Sequence, residues 1–230
     1  MIDWHSHILP EMDDGSESVE ESLKMLESLS QQGVDVVAAT PHFLADEESV
    51  DEFLQRRRAA HEKLLASAGG SVRIICGAEV KYYPGISRME DLSRLALEGT
   101  NILLLEMPMA RWTDFTVNEL TELANTRGLK IVLAHIERYI AMQNGRVLEE
   151  LLESGVLMQV NSSFFLRFAS KRKAIRMLGA GYIHFIGSDC HNMTSRQPKI
   201  EPAYQFISKK LGDDFTSRMI EYGYRILGKS

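Results

Sequence analysis

Short apolar segments alternate with amphipathic ones along the whole chain. Residues 2–5, 34–40, 72–78, 101–106, 130–135, 156–160 and 182–188 are nearly continuous apolar runs of strand length. Between and after them, residues 19–32, 51–68, 90–98, 117–126, 146–154, 174–179, 202–211 and 215–227 carry helical periodicity. In the first of these, Leu23, Leu26 and Leu29 fall at helical spacing behind the acidic turn at residues 17–21, and Gly33 stops the helix. Regular βα alternation with apolar strands predicts a parallel sheet covered on both faces, either a closed barrel or a doubly wound layer.

The chemistry-bearing residues decide between the two. His5 and His7 close the first predicted strand, His42 the second, Glu79 the third, Glu106 the fourth, His135 the fifth, and Asp189 with His191 the seventh. In a βα barrel the carboxyl ends of all strands form one face, where active sites are built. A doubly wound sheet would instead spread these side chains along an edge. The pattern therefore favours an α/β fold of the closed-barrel kind, with a metal site at the C-terminal ends of its strands.

Composition narrows the class. A chain of 230 residues that is 44% hydrophobic can bury one large core, so a single domain over residues 1–230 is expected. No apolar run approaches the roughly 20 residues of a membrane span. The histidine pair at His5 and His7 leaves no room for a signal peptide before it, and Cys76 and Cys190 are too few for a disulfide framework. Both features predict a cytoplasmic protein with free thiols. A net charge of −6 lacks the basic surface that nucleic-acid binding requires, so no nucleic-acid partner is expected.

His5 and His7 are two apart on a strand, so their imidazoles leave the same face and can reach one ion; Asp189 and His191 repeat the spacing. Imidazole with carboxylate suits manganese, iron or zinc. Glu79, Glu106, Asp189 and Asp14 contribute about four negative charges against about six positives from three divalent ions, a net cationic mouth that attracts phosphate and acidifies water into a nucleophile. Arg138 and Arg196 can grip the non-bridging phosphate oxygens with planar, bidentate hydrogen bonds. The expected reaction is metal-dependent phosphoester hydrolysis without a covalent intermediate.

These residues stand in the motifs Met1-Ile2-Asp3-Trp4-His5-Ser6-His7, Met12-Asp13-Asp14-Gly15, Thr40-Pro41-His42, Gly77-Ala78-Glu79, Ala134-His135-Ile136-Glu137-Arg138 and Ser188-Asp189-Cys190-His191-Asn192. The set resembles the polymerase-and-histidinol-phosphatase (PHP) superfamily. Within it, the chain is similar to the bacterial capsule and exopolysaccharide-locus protein-tyrosine phosphatases of the CpsB/YwqE type. The resemblance implies the PHP fold, a distorted (β/α)7 TIM-like barrel, with three metal ions, commonly manganese, and phosphotyrosine on a bacterial tyrosine kinase as substrate. It further implies His5, His7, Glu79 and Asp189 around one ion, Glu79, Glu106 and His135 around a second, and His42 with His191 around a third. Asp14 is the further ligand favoured there, with Glu17 as its rival, and Arg138 and Arg196 match the family's phosphate-binding arginines.

Other readings compete. Cys190 and Arg196 have the C-x5-R spacing of cysteine-dependent phosphatases, but the intervening residues hold no glycine for an amide cradle, and strand alternation aims Cys190 away from Asp189 and His191. An amidohydrolase also begins with H-x-H, yet that chemistry does not call for His42, Asp14, His191 and two arginines. A phosphatase of histidinol phosphate or another small metabolite is separated less well. A non-catalytic metal-binding module of the same fold is disfavoured because every expected strand end keeps a ligand. Arg111, Trp112 and Phe115 form either a rim for an aromatic phosphoester or ordinary packing. Asp3 shares the strand parity of His5 and is either a deeper orienting acceptor or a strand-start hydrogen-bond partner. His61 is expected in solvent, His184 on the opposite strand face, and Tyr222 with Tyr224 in helix packing.

Overall fold

The computed structural model describes residues 1–70 and 72–228. Its strands are β1 (Ile2–Ser6), β2 (Val36–Ala39), β3 (His42–Phe43), β4 (Arg73–Cys76), β5 (Glu79–Lys81), β6 (Ile102–Glu106), β7 (Lys130–Leu133), β8 (Leu157–Asn161) and β9 (Phe185–Gly187). Every pairing is parallel, in the orders β1-β2-β4 and β3-β5-β6-β7-β8-β9.

These strands make seven passes of the chain. β3 prolongs β2 beyond Thr40-Pro41, where proline has no N–H for the ladder, and β5 prolongs β4 beyond Gly77-Ala78. Gly77 N–H donates to Ala39 O at 2.8 Å and Glu79 N–H to Pro41 O at 2.9 Å, carrying the pairing across the break. The circuit closes where β9 meets β1: Asp189 N–H donates to His5 O at 2.8 Å and His7 N–H to Cys190 O at 2.9 Å. The fold is the distorted seven-stranded barrel that the sequence predicts.

The helices are α1 (Val19–Gln31), α2 (Val50–Leu65), α3 (Asp114–Thr126), α4 (Gly145–Glu153), α5 (Ser163–Leu166), α6 (Lys171–Gly179), α7 (Glu201–Leu211) and α8 (Asp213–Ile226). Their starts follow local chemistry. Ser18 caps α1 by accepting Glu21 N–H, and Ser49 with Glu52 forms a reciprocal capping box on α2; each such cap contributes about 1 kcal/mol. A small cluster including Ile2, Trp4, Val36, Ile75, Leu104, Val132 and Phe185 draws on strands all round the barrel and fills its interior. A larger cluster, with Leu29, Phe53, Leu103, Leu133 and Phe165, lies between strands and helices. No helix among the described residues is long and apolar enough to cross a membrane.

The structure corrects three expectations here. Residues 90–98 do not form an α-helix: Ile86–Arg88 and Glu90–Leu95 are 3-10 turns, and Ala96 is extended with φ −61° and ψ 160°. The chain has to straighten because Leu97 packs onto Gly77, where a Cβ would stand 2.5 Å from Leu97 Cδ2. The four-residue α5 was not predicted. His61 is half-buried rather than solvated, with its Nε2 enclosed and without a hydrogen-bond partner among the described residues, and burial lowers its basicity. Tyr222 stacks on Phe185 at 5.9 Å and Tyr224 donates to Asp35, the packing expected of them.

Candidate metal centre

The strand ends bring the predicted ligands together around Glu79, which is 1% exposed. Its Oε1 lies 2.7 Å from His135 Nε2, and its Oε2 lies 3.1 Å from His5 Nε2, 3.3 Å from His7 Nε2 and 3.1 Å from His42 Nδ1. Glu106 Oε1 is 3.5 Å from His135 Nε2. Asp189 Oδ1 stands 3.8 Å from His5 Nε2, 3.6 Å from His7 Nε2 and 3.7 Å from His191 Nδ1. Asp14 Oδ1 is 3.5 Å from His42 Nε2 and 3.3 Å from His191 Nε2. Among the described residues, four sets of side chains offer ligand atoms within 4.8 Å of one another: His7, Asp14, His42 and His191; His5, His7 and Asp189; His5, Glu79 and His135; and His42, Glu79 and Glu106. Glu17 joins none of them, and its backbone N–H donates to Glu21.

Local backbone features aim these groups. The β1–β2 register shifts between Asp3 and Ser6, a bulge of the kind that re-aims side chains beside active sites. Strand parity is therefore broken: Ile2 and Trp4 join the interior cluster. Asp3 instead accepts Ser188 N–H at 2.7 Å, Ser188 Oγ–H at 2.6 Å and His5 N–H at 3.3 Å. It thus ties β1 to the turn that carries Asp189 rather than orienting a ligand ring. Burial raises its carboxyl to about 6 against those hydrogen bonds. His135 and Asp189 both adopt left-handed backbone, φ 33° and 53°, a strain of about 1–3 kcal/mol each that surrounding structure has to hold. His135 N–H donates to Gln159 Oε1 at 2.7 Å, which fixes the first of them.

The donor set fits divalent cations. Asp13 Oδ2 accepts from His7 Nδ1 at 2.7 Å, so His7 is protonated there and turns its Nε2 into the cluster. Gln159 Oε1 faces His5 Nδ1 at 3.4 Å and directs His5 Nε2 the same way. The two Nε2 atoms meet 3.1 Å apart beside a Glu79 oxygen. Lone pairs converging on a buried carboxylate need protons or a cation between them. His191 Nε2, likewise, is buried with no hydrogen-bond partner among the described residues and lies next to Asp14.

The titration tendencies of the metal-free cluster express the same demand. Burial pulls His7 down, but the hydrogen bonds and charges of Asp13 and Glu79 outweigh it and hold the imidazolium to about 10. Burial pushes Glu79 up, yet His5, His135 and His7 hold it well below the carboxylate range, and His5, His7 and Arg196 do the same for Asp189. Burial, then the charge of His7, depresses His191 to about 4. A cation at the mouth would take over the role of these protons.

Beside this cluster lies a cleft of about 870 Å³ whose walls include Asp189, Arg138, Arg196, Asn161, Glu137, Phe164, Arg167 and Lys199. Arg138 Nη2 and Arg196 Nη2 each lie 2.8 Å from a different Asp189 oxygen, and both guanidiniums keep over a third of their surface exposed. Burial raises Glu137 to about 7. Trp112 is not a rim residue. It is 5% exposed and packs 5.5 Å from the Tyr139 ring, whose hydroxyl pairs with His135 Nδ1 at 3.1 Å. Arg111 and Phe115 are exposed and do not line the cleft.

Cys190 is fully buried in the core, and burial carries its thiol well above the ordinary range. The amides of Thr194, Ser195 and Arg196 donate to Asn192 Oδ1 at 3.0, 2.8 and 3.0 Å, so the loop after Cys190 has no free amides for a phosphate. The cysteine-dependent architecture is absent. His184 lies off the site, with Nδ1 accepting Met158 N–H.

Sequence reasoning missed Asp13, Tyr139, Gln159 and Asn161. Asn161 donates to Asp189 Oδ2 at 2.7 Å and accepts from Gln159 Nε2 at 3.2 Å. One signal was available, since Gln159 and Asn161 are the polar residues, two apart, of an otherwise apolar strand.

A parallel barrel whose mouth gathers histidines and carboxylates beside two arginines has the geometry that a metal-dependent hydrolase requires. Comparison with known proteins narrows this. The chain belongs to the capsular polysaccharide synthesis family CpsB/CapC, which it matches over residues 1–225. It is 35% identical to tyrosine-protein phosphatase CpsB of Streptococcus pneumoniae over 231 residues, covering 92% of this chain and 91% of that protein. It is 30% identical to tyrosine-protein phosphatase YwqE of Bacillus subtilis over 230 residues, covering 96% and 89%. Among solved structures, one from a study of YwqE from Bacillus subtilis and CpsB from Streptococcus pneumoniae, described as unique metal-dependent tyrosine phosphatases, matches with a TM-score of 0.85. The identity is 25%, and the match covers 100% of this chain and 96% of that one. Histidinol phosphate phosphatase from Lactococcus lactis shares the fold at a TM-score of 0.59 and 13% identity, covering 90% and 92%.

Proposed function

We propose that this protein is a metal-dependent protein-tyrosine phosphatase acting on a bacterial tyrosine kinase that controls capsule or exopolysaccharide synthesis. The observation that carries the reading is the convergence of His5 Nε2, His7 Nε2 and the Glu79 carboxylate beside Arg138 and Arg196. Its similarity to tyrosine-protein phosphatases over nearly its full length supports the substrate class.

Three divalent ions, manganese in the first instance with iron or zinc as alternatives, fit the donor set. His5, His7, Glu79 and Asp189 would hold one, Glu79, Glu106 and His135 a second, and His42, His191 and Asp14 a third. Bound there, such ions would supply Lewis acidity and lower the pKa of water toward neutrality. The chain's own groups do the rest. Asp13, Gln159 and Tyr139 fix the orientations of His7, His5 and His135, which is how outer partners tune a metal site. Arg138 and Arg196, already at the cleft wall, turn from Asp189 to grip the phosphoryl oxygens and stabilise charge as it develops. The buried Cys76 and Cys190 thiols suit a cytoplasmic location.

The discriminating experiment compares kcat/KM for a phosphotyrosyl peptide and for histidinol phosphate under matched manganese. A clear preference for the peptide is expected. Preference for histidinol phosphate would reassign the substrate to a small metabolite.

A further inference from the structure

Charge is distributed unevenly along this chain. Residues 154–200 contain seven Lys and Arg residues and one acidic residue, Asp189, within a protein of net charge −6. That stretch supplies β8, α5, α6, β9 and the loop leading to α7. A cationic sector is thus set into an otherwise acidic molecule, the arrangement that concentrates anionic ligands at one face.

The cleft beside Asp189 is built largely from this sector. Besides Arg138 and Arg196 its walls carry Arg167 and Lys199. Both of these are exposed, and among the described residues neither takes part in an ion pair, whereas Arg138 and Arg196 are engaged with Asp189. The one further carboxylate on the wall, Glu137, accepts Asn161 N–H at 3.1 Å. At about 870 Å³ the cleft lies in the upper part of the roughly 300–1,000 Å³ range of whole-ligand sites, larger than one phosphoaryl side chain needs. Beyond it the basic surface continues, with Lys171 5.1 Å above the 83%-exposed Phe168 ring.

We propose that Arg167 and Lys199 form a second anion subsite in this cleft, selecting phosphotyrosine that lies beside Asp or Glu side chains. The proposal rests on the tyrosine-phosphatase reading and adds to it the sequence context of the substrate. Arg138 and Arg196 serve the phosphoryl group, and Arg167 and Lys199 serve carboxylates on neighbouring residues.

The test uses the manganese-loaded full chain and three phosphotyrosyl peptides with Glu, Ala or Lys flanking the phosphotyrosine, with a small aryl phosphate run in parallel. Each engaged carboxylate is expected to raise kcat/KM about fivefold, mainly through KM, at low salt, and the gain should shrink as ionic strength rises. In Arg167→Gln/Lys199→Gln the Glu-to-Ala ratio should fall to near one. Lys173→Gln, which removes a charge from the same sector outside the cleft, should keep the ratio. Equal turnover of the three peptides by the parent protein, an unchanged ratio in the double variant, or an equal loss in Lys173→Gln would overturn the subsite. Binding to phosphatidylglycerol vesicles that the double variant loses while its peptide ratio stays would assign the surface to lipid instead. No turnover of any aryl phosphate, the small one included, would overturn the phosphatase reading on which the subsite rests.

Discussion

Asp13 and His7 are joined by a 2.7 Å hydrogen bond that leaves His7 Nε2 facing the Glu79 carboxylate. The same Asp13 carboxylate accepts the backbone N–H of His42 at 2.8 Å and that of Gly15 at 2.9 Å. One side chain therefore sets the tautomer of one metal-facing imidazole and the position of another. Gly15 is required there, because a Cβ would lie 2.4 Å from His7 O. Asp13→Asn should keep the fold but weaken manganese binding about 10- to 100-fold, as loss of an outer partner does. Calorimetric titration of the metal-free protein with manganese checks this; unchanged affinity would remove Asp13 from the site.

The metal-free protein should have a stability maximum set by the cluster. His7 is raised to about 10, so its stabilising contribution is full below its ordinary 6.5 and disappears as pH rises through about 10. Glu79 and Asp189 are lowered, so their contributions are present above their ordinary 4.5 and 3.8 and disappear as pH falls. Melting temperature of the metal-free protein should therefore fall from pH 6.5 toward 10, and saturating manganese should flatten that decline by replacing the protons. A melting temperature that climbs over this window without metal contradicts the assignment.

Arg138→Ala and Arg196→Ala should each remove about 2–4 kcal/mol of transition-state stabilisation, roughly 30- to 900-fold in kcat/KM, by analogy with loss of one oxyanion donor. Lysine at either position should restore only part, since a point charge lacks the bidentate geometry. Steady-state kinetics on a phosphotyrosyl peptide reads the effect directly. Parent-like values in both alanine variants would strip the arginines of the role.

Cys190→Ser should retain most activity, because the thiol is fully buried and Asn192 has already taken the loop amides. His135→Ala should abolish activity, because its Nε2 is 2.7 Å from Glu79. The pair is read in one assay on the same substrate, alongside thermal melts that confirm folding. An inactive serine variant that melts normally would restore the cysteine mechanism.

The strand ends were legible because each carries a residue type whose chemistry is visible in isolation. His5, His42, Glu79, Glu106, His135 and Asp189 each close or continue an apolar run, and parallel topology forces those ends onto one face. Side chains that act through partners were less visible. Gln159 reaches His5 across 154 positions of sequence, and no local pattern encodes that distance. Strand parity misled for Asp3, because the bulge before Ser6 reverses the alternation on which the reading relied. That Asp14 and not Glu17 lies beside His42 and His191 needed coordinates, since two carboxylates in one turn are equivalent until the turn is folded. Helical periodicity at residues 90–98 was overruled by the demand that Leu97 pack on Gly77.

Removal and return of metal reaches the central claim most directly. Chelation should abolish hydrolysis of a phosphotyrosyl peptide, and manganese added back to the dialysed protein should restore it, with recovery saturating at a stoichiometry above one ion per chain. Turnover that persists undiminished in chelator, in protein shown by elemental analysis to be metal-free, would contradict the account.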